Sequence, residues 1–178
     1  MIETVLHFWF SELKPAQWFK KDAYIDRVIA RRFGSLLEEV AACEHYSWRK
    51  KPRGRLAEVL VLDQFSRNIH RGTARAFEND ALGLALAQEA IAAGADQSLR
   101  PDQLSFLYMP FMHSESLRIH DLAVELFSAP GLEDNLEFEL KHRAIIERFR
   151  RYPHRNALLG RPSTPEEVEF LKQPGSGF

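Results

Sequence analysis

The sequence predicts an all-α protein, built as a bundle or as a solenoid of antiparallel helix hairpins. Apolar residues recur at helical spacing along most of the 178 residues. No segment alternates apolar and polar residues or concentrates β-branched ones, so no sheet is expected. Glycine and proline divide the periodic segments into roughly seven to nine helices.

The first half of the chain is expected to contain three helices of different character. Residues 2–10 form a short aromatic-rich helix that ends before the Lys-Pro pair at 14–15. Residues 22–47 carry an apolar stripe at i, i+3 and i+4, and Asp22 is a suitable N-cap. Over residues 55–68 apolar side chains surround the helix axis, which predicts an internal helix.

The second half is expected to continue in the same way. Residues 79–93 form an alanine-rich helix. Residues 102–127 are helical, but Pro110 removes an amide donor and clashes with the preceding turn, so a sharp kink or two separate helices are expected there. Residues 134–150 form an amphipathic helix, and a capping box with proline at N1 begins the last helix over 164–172.

Length and charge limit the class of protein. The length suits a single helical domain, residues 1–178, with 173–178 as a loose tail whose terminal Phe178 is free to dock. The 24 basic and 25 acidic residues give a net charge of -1, and no long basic stripe is present, so no nucleic-acid partner is expected.

The predicted location is the cytoplasm. Cys43 is the single cysteine, which excludes an intramolecular disulfide and suits a reducing compartment. The first residues do not have the pattern of a secretory signal. No apolar run approaches the roughly 18 residues that a membrane span needs, so no membrane partner is expected.

The first candidate site lies at the end of the internal helix, where an apolar run turns into Asp63, Gln64, Arg67 and Asn68. Asp63 and Arg67 are four residues apart on one helix face and can form an ion pair. One interpretation is a buried structural ion pair that orients this helix. The alternative is that these four polar residues line a pocket.

Three further groups of polar residues lie in apolar or turn-rich surroundings. His113, Ser114 and Glu115 follow Pro110, where the backbone groups are expected to be open. His142 faces the core of its helix. The basic segment that contains His154, Arg155, Asn156 and Arg161 is either a solvated face or an anion site, because arginine binds carboxylate and phosphate well.

No cofactor or metal is expected from the motifs. The chain has no glycine-rich phosphate loop and no nucleophile elbow. Histidine and glutamate are present as possible ligands, but their spacing matches no tight metal-binding pattern.

Four long motifs cover much of the chain: VLHFWF, LDQFSRNIHRGTARAF, FLYMPFMHSE and RFRRYPHRNALLGRPSTPEEVEFL. These motifs resemble those of a bacterial family known as a domain of unknown function, and the resemblance spans nearly the whole sequence. It implies a tetratricopeptide-like array of helix hairpins and brings no established activity. Its polar signature falls on the twelve candidate residues named above and on Arg71. Ser66 departs from the family, which has proline there, so the helix is expected to run on more smoothly past Phe65.

Three functions are therefore open. The chain is a module that binds a protein, a peptide or a small ligand; or it is an enzyme or small-anion-binding protein with an interior His/Glu/Arg pocket; or the polar residues form a purely structural network. All three share one expectation. Asp63, His113 and Arg155, which are distant in sequence, meet at one interior position between stacked helix pairs.

Overall fold

The computed structural model describes residues 1–177, and this part of the chain contains nine helices and no strand. The helices are α1 (Ile2–His7, continuing as a π turn over Phe8–Glu12), α2 (Pro15–Trp18), α3 (Ala23–Ala41), α4 (Pro52–Leu60, continuing through Val61–Phe65 and Ser66–Ile69), α5 (Asp80–Ala92), α6 (Pro101–Met112), α7 (Leu117–Phe127), α8 (Glu133–Phe149) and α9 (Pro165–Leu171). The all-α prediction is confirmed.

The internal helix predicted from the sequence is α4. It packs against α1, α3, α5 and α6, and every side chain over residues 56–66 is buried. Residues Val61–Phe65 form a π turn, which accommodates one extra residue in the helix. The helix then continues through Ser66–Ile69, so it does not end at Phe65. The end of α4 therefore holds Asp63, Gln64 and Ser66 inside the protein.

Aromatic side chains hold α1 against the middle of the bundle. Trp9 is 1% exposed, and its ring centroid lies 5.7 Å from that of Phe65 in α4 and 5.4 Å from that of Phe106 in α6. Phe33 of α3 contacts Phe65 from the other side, with the ring centroids 4.8 Å apart. Such aromatic pairs stabilise a core beyond their buried area.

The long helix α3 is shorter than predicted. It ends at Ala41 rather than near residue 47, because Cys43 takes the left-handed conformation with φ 60°. The amide of Glu44 then bonds to the carbonyl of Glu39, and the amide of Cys43 to that of Val40. This pair of hydrogen bonds is a Schellman motif, and it ends the helix without a glycine.

The predicted break near Pro110 is confirmed. Pro110 lies in the last turn of α6, which ends at Met112, and residues 113–116 connect it to α7. The helices α6, α7 and α8 pack in sequence, and α8 also returns to contact α6. The tail passes close to this region, because a Cβ added at Gly177 would lie 3.6 Å from the Cβ of His154. Phe178, the last residue of the predicted loose tail, lies outside the described residues.

Candidate functional site

The junction of residues 113–116 is held by side chains from three other segments. The last carbonyl groups of a helix have no partner within the helix and need external donors. Three side chains meet three consecutive carbonyl oxygens here: the Tyr152 hydroxyl donates to Met112 at 2.6 Å, Arg155 Nη2 donates to His113 at 2.9 Å, and His120 Nε2 lies 2.8 Å from the oxygen of Ser114. The carbonyl groups of His113 and of the residues before and after it are therefore all held, which fixes the position of His113.

His113 lies against the π turn of α4. Its Nδ1 is 2.7 Å from Oδ1 of Asp63, whose side chain is only 2% exposed. The other carboxylate oxygen accepts a hydrogen bond from the Gln64 amide at 2.6 Å, and Arg67 Nη1 lies 3.1 Å from Oδ1. The predicted ion pair between Asp63 and Arg67 is confirmed, and it forms one part of a larger network.

The electrostatics of this pair favour a neutral imidazole. Burial opposes ionisation of Asp63, but the charge of Arg67 and the hydrogen bonds from its neighbours hold the pKa of this carboxyl far below its usual value. Burial and the charge of Arg67 lower the pKa of His113, although Asp63 acts in the opposite direction. At neutral pH Nδ1–H therefore donates to the carboxylate, and Nε2 retains its lone pair. Within residues 1–177 no group is hydrogen-bonded to Nε2.

Asp80 connects the two arginines of the network. Its carboxylate accepts two hydrogen bonds from Arg67, at 2.8 and 3.0 Å, and one from Arg155 at 3.3 Å. The Arg155 guanidinium lies between two rings, with its central carbon 4.6 Å from the centroid of Phe77 and 4.7 Å from that of Tyr152. The predicted convergence of the carboxylate at 63, the imidazole at 113 and the guanidinium at 155 is confirmed.

Glu115 is fully engaged by the C-terminal segment. Arg161 holds both carboxylate oxygens, at 2.7 and 2.9 Å, and the backbone amide of Tyr152 donates to one of them at 2.7 Å. Burial opposes ionisation of Glu115, but the hydrogen bonds from Arg161 and from the Tyr152 amide lower its pKa. This carboxylate therefore stays ionised and bound, which makes it a brace for the junction rather than a general acid.

Two more of the candidate histidines surround Tyr152. The ring of His142 lies 5.8 Å from the Tyr152 ring and that of His154 lies 5.6 Å from it, centroid to centroid. Nδ1 of His142 is 2.7 Å from the carbonyl oxygen of Phe138. Burial lowers the pKa of His142 to about 3, and burial together with Arg155 lowers that of His154 to about 4. Both rings are neutral at physiological pH.

The remaining candidates lie at the edges of this network. Asn68 donates to Asp26 of α3 at 2.8 Å and thereby braces α4 against α3. Ser114 Oγ accepts from the backbone amide of Ser116 at 3.2 Å. Asn156, 1% exposed, accepts from Arg161 Nε and donates to Ser163. The hydrogen bonds of these side chains brace α4, the junction and the C-terminal segment.

Four central residues were not predicted from the sequence: Asp80, His120, Glu139 and Tyr152. Asp80 reads as an ordinary acidic residue at a helix start. His120 and Glu139 are both fully buried, and they face each other across α7 and α8, a pairing that no spacing along the chain encodes. The nearest signal for Tyr152 was the proline that follows it in the basic segment.

Other kinds of site are less well supported by the geometry. Among residues 1–177 no three His, Cys, Asp or Glu side chains are grouped to hold a metal ion. In the same part of the chain, no helix combines the length and apolar character that crossing a bilayer requires. A cleft of about 700 Å³ lies beside α1 and the start of α4, lined by Ile2, Trp48 and Pro52 among others, away from His113.

The fold and this junction define an all-helical protein with a buried Asp–His pair at its centre. The chain belongs to the bacterial family of unknown function DUF924, whose model matches residues 5–175. It is similar to the protein of unknown function ATU0120 from Agrobacterium tumefaciens, with 37% identity over 96% of each chain and a TM-score of 0.90. No curated protein matches the sequence.

Proposed function

We propose that this protein binds a small polar ligand at His113, with Nε2 as the acceptor of a ligand hydrogen bond. The supporting observation is the contact of 2.7 Å between His113 Nδ1 and Asp63, which leaves Nε2 without a partner among the described residues. A polar atom that folding leaves unused in such a crowded network is available to a ligand, because the nearby carboxylates are already engaged by arginine.

The charge state of His113 supports a role in acid–base chemistry as well as binding. A carboxylate at Nδ1 fixes the tautomer and orients the ring, and it stabilises the imidazolium that forms when Nε2 takes a proton. The His113 side chain is 16% exposed, so a ligand can approach without unfolding the junction. The alternative of an enzyme thus differs from simple binding only in whether the ligand loses its proton to Nε2.

The ligand class follows from the same geometry. Nε2 accepts a hydrogen bond, so the ligand carries a hydroxyl or N–H group. The charges of Arg67, Arg155 and Arg161 are balanced by three carboxylates within hydrogen-bonding contact. A small molecule with one such donor, neutral or carrying a single carboxylate, fits this balance better than a polyanion.

Carbethoxylation with diethylpyrocarbonate tests the proposal, because the reagent attacks an unprotonated, accessible imidazole nitrogen. Peptide mapping at pH 7 is expected to show modification of His113 at a rate between those of exposed His7 and buried His142. If His113 reacts as slowly as His142, Nε2 is closed and the network is purely structural. A panel of hydroxy acids and amino acids is then screened for protection, with His113→Gln as the control that must lose every genuine hit.

A module that binds a peptide on its surface is the second candidate. It is favoured by the aromatic side chains of Phe19 and Tyr24, which are 66% and 69% exposed. Aromatic residues are enriched in protein interfaces. A peptide array probed with the wild type and with a Phe19→Ser/Tyr24→Ser double variant separates this candidate from the first, since only surface binding depends on these two rings.

A further inference from the structure

A second histidine–carboxylate pair lies behind the junction. Nδ1 of His120 is 2.6 Å from Oε1 of Glu139, and both side chains are 0% exposed. The other ring nitrogen, Nε2, is 2.8 Å from the carbonyl oxygen of Ser114 and 3.3 Å from the hydroxyl oxygen of Tyr152. The Tyr152 hydroxyl already donates to Met112, so it presents a lone pair to the ring. Both nitrogens of His120 therefore face hydrogen-bond acceptors.

This arrangement determines how many protons the pair holds. A neutral imidazole has one N–H and cannot donate to the carbonyl and to the carboxylate at the same time. Either the ring carries two protons beside an ionised Glu139, or Glu139 carries one and donates it to Nδ1 while Nε2–H donates to Ser114. Both forms are neutral overall and contain the same number of protons.

The surroundings of Glu139 favour the second form. Its Oε2 is buried with no hydrogen-bond partner in the described residues, which is less unfavourable for a neutral acid than for an ion. Burial raises the pKa of Glu139, and His120 and the more distant Arg143 oppose this shift only in part. Arg143 itself bonds to Asp121 and Glu147 on the surface.

We propose that His120 is a positioning residue for His113, and that a proton shared with Glu139 keeps it in place. Nε2–H of His120 binds the carbonyl of Ser114, the residue directly after His113. This inference rests on the proposed function of His113. If the pair loses the shared proton, the ring has one N–H left, and it must either release Ser114 or turn a lone pair towards an ionised carboxylate.

The charged and titratable groups around the pair do not replace this proton. Tyr152 contributes its hydroxyl oxygen, and burial raises the pKa of this hydroxyl, so it stays protonated. The ring of His142, also on α8, lies 5.8 Å from the Tyr152 ring, centroid to centroid, and burial lowers its pKa so that it is neutral. Arg155 of the C-terminal segment and Glu115 of the junction itself are each bound to another partner.

Two substitutions of Glu139 test the proposal. In Glu139→Gln the amide N–H donates permanently to Nδ1, which reproduces the neutral pair without a titratable proton. In Glu139→Leu no donor remains, so His120 places its N–H at either nitrogen and holds Ser114 only part of the time. Glu137→Gln, on the exposed face of α8, is the matched control.

The first readout is the rate of carbethoxylation at His113 between pH 7 and 9.5. The wild type is expected to change its rate at least threefold as the shared proton is lost, whereas Glu139→Gln follows a flat profile and Glu139→Leu shows the altered rate already at pH 7. Equal profiles for the wild type and Glu139→Gln would overturn the proposal.

The second readout does not depend on His113. Burial raises the pKa of Glu139, so the stability that its proton contributes is lost as pH rises through the folded value. Urea unfolding is expected to show this loss in the wild type and in Glu137→Gln, and its absence in Glu139→Gln. An identical pH dependence in all three proteins would refute the shared proton, while an unreactive His113 with this difference intact would refute only the proposed function.

Discussion

Two of the histidine–carboxylate pairs of this protein have nearly equal contact distances but opposite electrostatic surroundings. His113 and Asp63 lie 2.7 Å apart, and His120 and Glu139 lie 2.6 Å apart. Arg67 touches Asp63, whereas within residues 1–177 no arginine forms an ion pair with Glu139, and Arg143 acts on it only from a distance. The pKa of Asp63 is lowered, and that of Glu139 is raised. The presence of one guanidinium thus decides which carboxyl group ionises.

This difference assigns different roles to the two imidazoles. The ionised Asp63 accepts a hydrogen bond from Nδ1–H of His113. Nε2 of the same ring is the atom that we propose binds a ligand. The buried Glu139 shares a proton with His120, whose outer nitrogen is used to hold the backbone. A carboxylate beside a histidine therefore does not by itself identify a general base. The charged groups that contact the carboxylate also have to be considered.

Removal of Arg67 should break the first pair most severely. Arg67→Ala leaves the carboxylates of Asp63 and Asp80 without their shared cation, and Asp63 is buried. We expect the free energy of unfolding to fall by about 3–5 kcal/mol, as for other broken buried ion pairs. Equilibrium urea unfolding measures this change.

Arg75→Ala is the matched control for that experiment. Arg75 also bonds to two carboxylates, Glu38 and Glu78, but its side chain is 51% exposed. Its removal should leave the free energy of unfolding nearly unchanged, because solvent screens exposed ion pairs. Similar values for the two variants would show that the network around Asp63 is solvated, contrary to the structure.

Lowering the pH from 7 to 5 should destabilise the protein through its buried histidines. The pKa of His142 is lowered to about 3 and that of His154 to about 4, and that of His113 is also lowered. Below pH 6.5 the unfolded chain takes up protons that the folded chain refuses, so stability falls as pH falls. Each such proton contributes about 1.4 kcal/mol per pH unit.

Between pH 6 and 5 the free energy of unfolding is expected to fall with a slope that approaches two protons from His142 and His154, measured by urea unfolding at several pH values. His142→Asn should lower the slope by about one proton relative to the wild type. A profile that is flat from pH 7 to 5 would mean that these rings take up protons as readily in the folded state as in the unfolded chain.

The Tyr152 hydroxyl should have a smaller effect. Tyr152→Phe removes the donor to the Met112 carbonyl and leaves that buried oxygen unsatisfied. Loss of a hydrogen bond of this kind typically costs about 1–3 kcal/mol. The melting temperature should fall, and the carbethoxylation rate at His113 should rise because the junction loosens. An unchanged carbethoxylation rate would show that the Tyr152 hydroxyl does not help to fix the position of His113.

Ser114→Ala should have the smallest effect of the four. The hydroxyl accepts one exposed hydrogen bond, from the backbone amide of Ser116. We expect a loss of less than about 1 kcal/mol. A large drop in ligand binding without a drop in stability would instead show that this hydroxyl contacts the ligand.

Sequence reasoning identified the centre of the molecule because buried polar groups require partners. Asp63 and Arg67 interrupt an apolar helix, and His113 follows a proline that ends another, so both positions needed long-range contacts. The partners themselves were not predictable in the same way. Asp80 and Glu139 carry no local anomaly, and their roles depend on how α5 and α8 pack.

The π turn at Val61–Phe65 was also not predictable from the sequence. A π turn has no strong local signature, and the absence of proline at Ser66 indicated only that the helix continues. The boundary of α3 was missed because a cysteine in the left-handed conformation is rare, and the sequence offers no glycine there.

The protonation of the two rings at pH 7 tests the account most directly. A long-range ¹H–¹⁵N correlation spectrum of histidine-labelled protein reports which ring nitrogens carry a proton. The account predicts a proton on Nδ1 and none on Nε2 for His113, and a proton on Nε2 for His120. A proton on Nε2 of His113, or a bare Nε2 in His120, would contradict it.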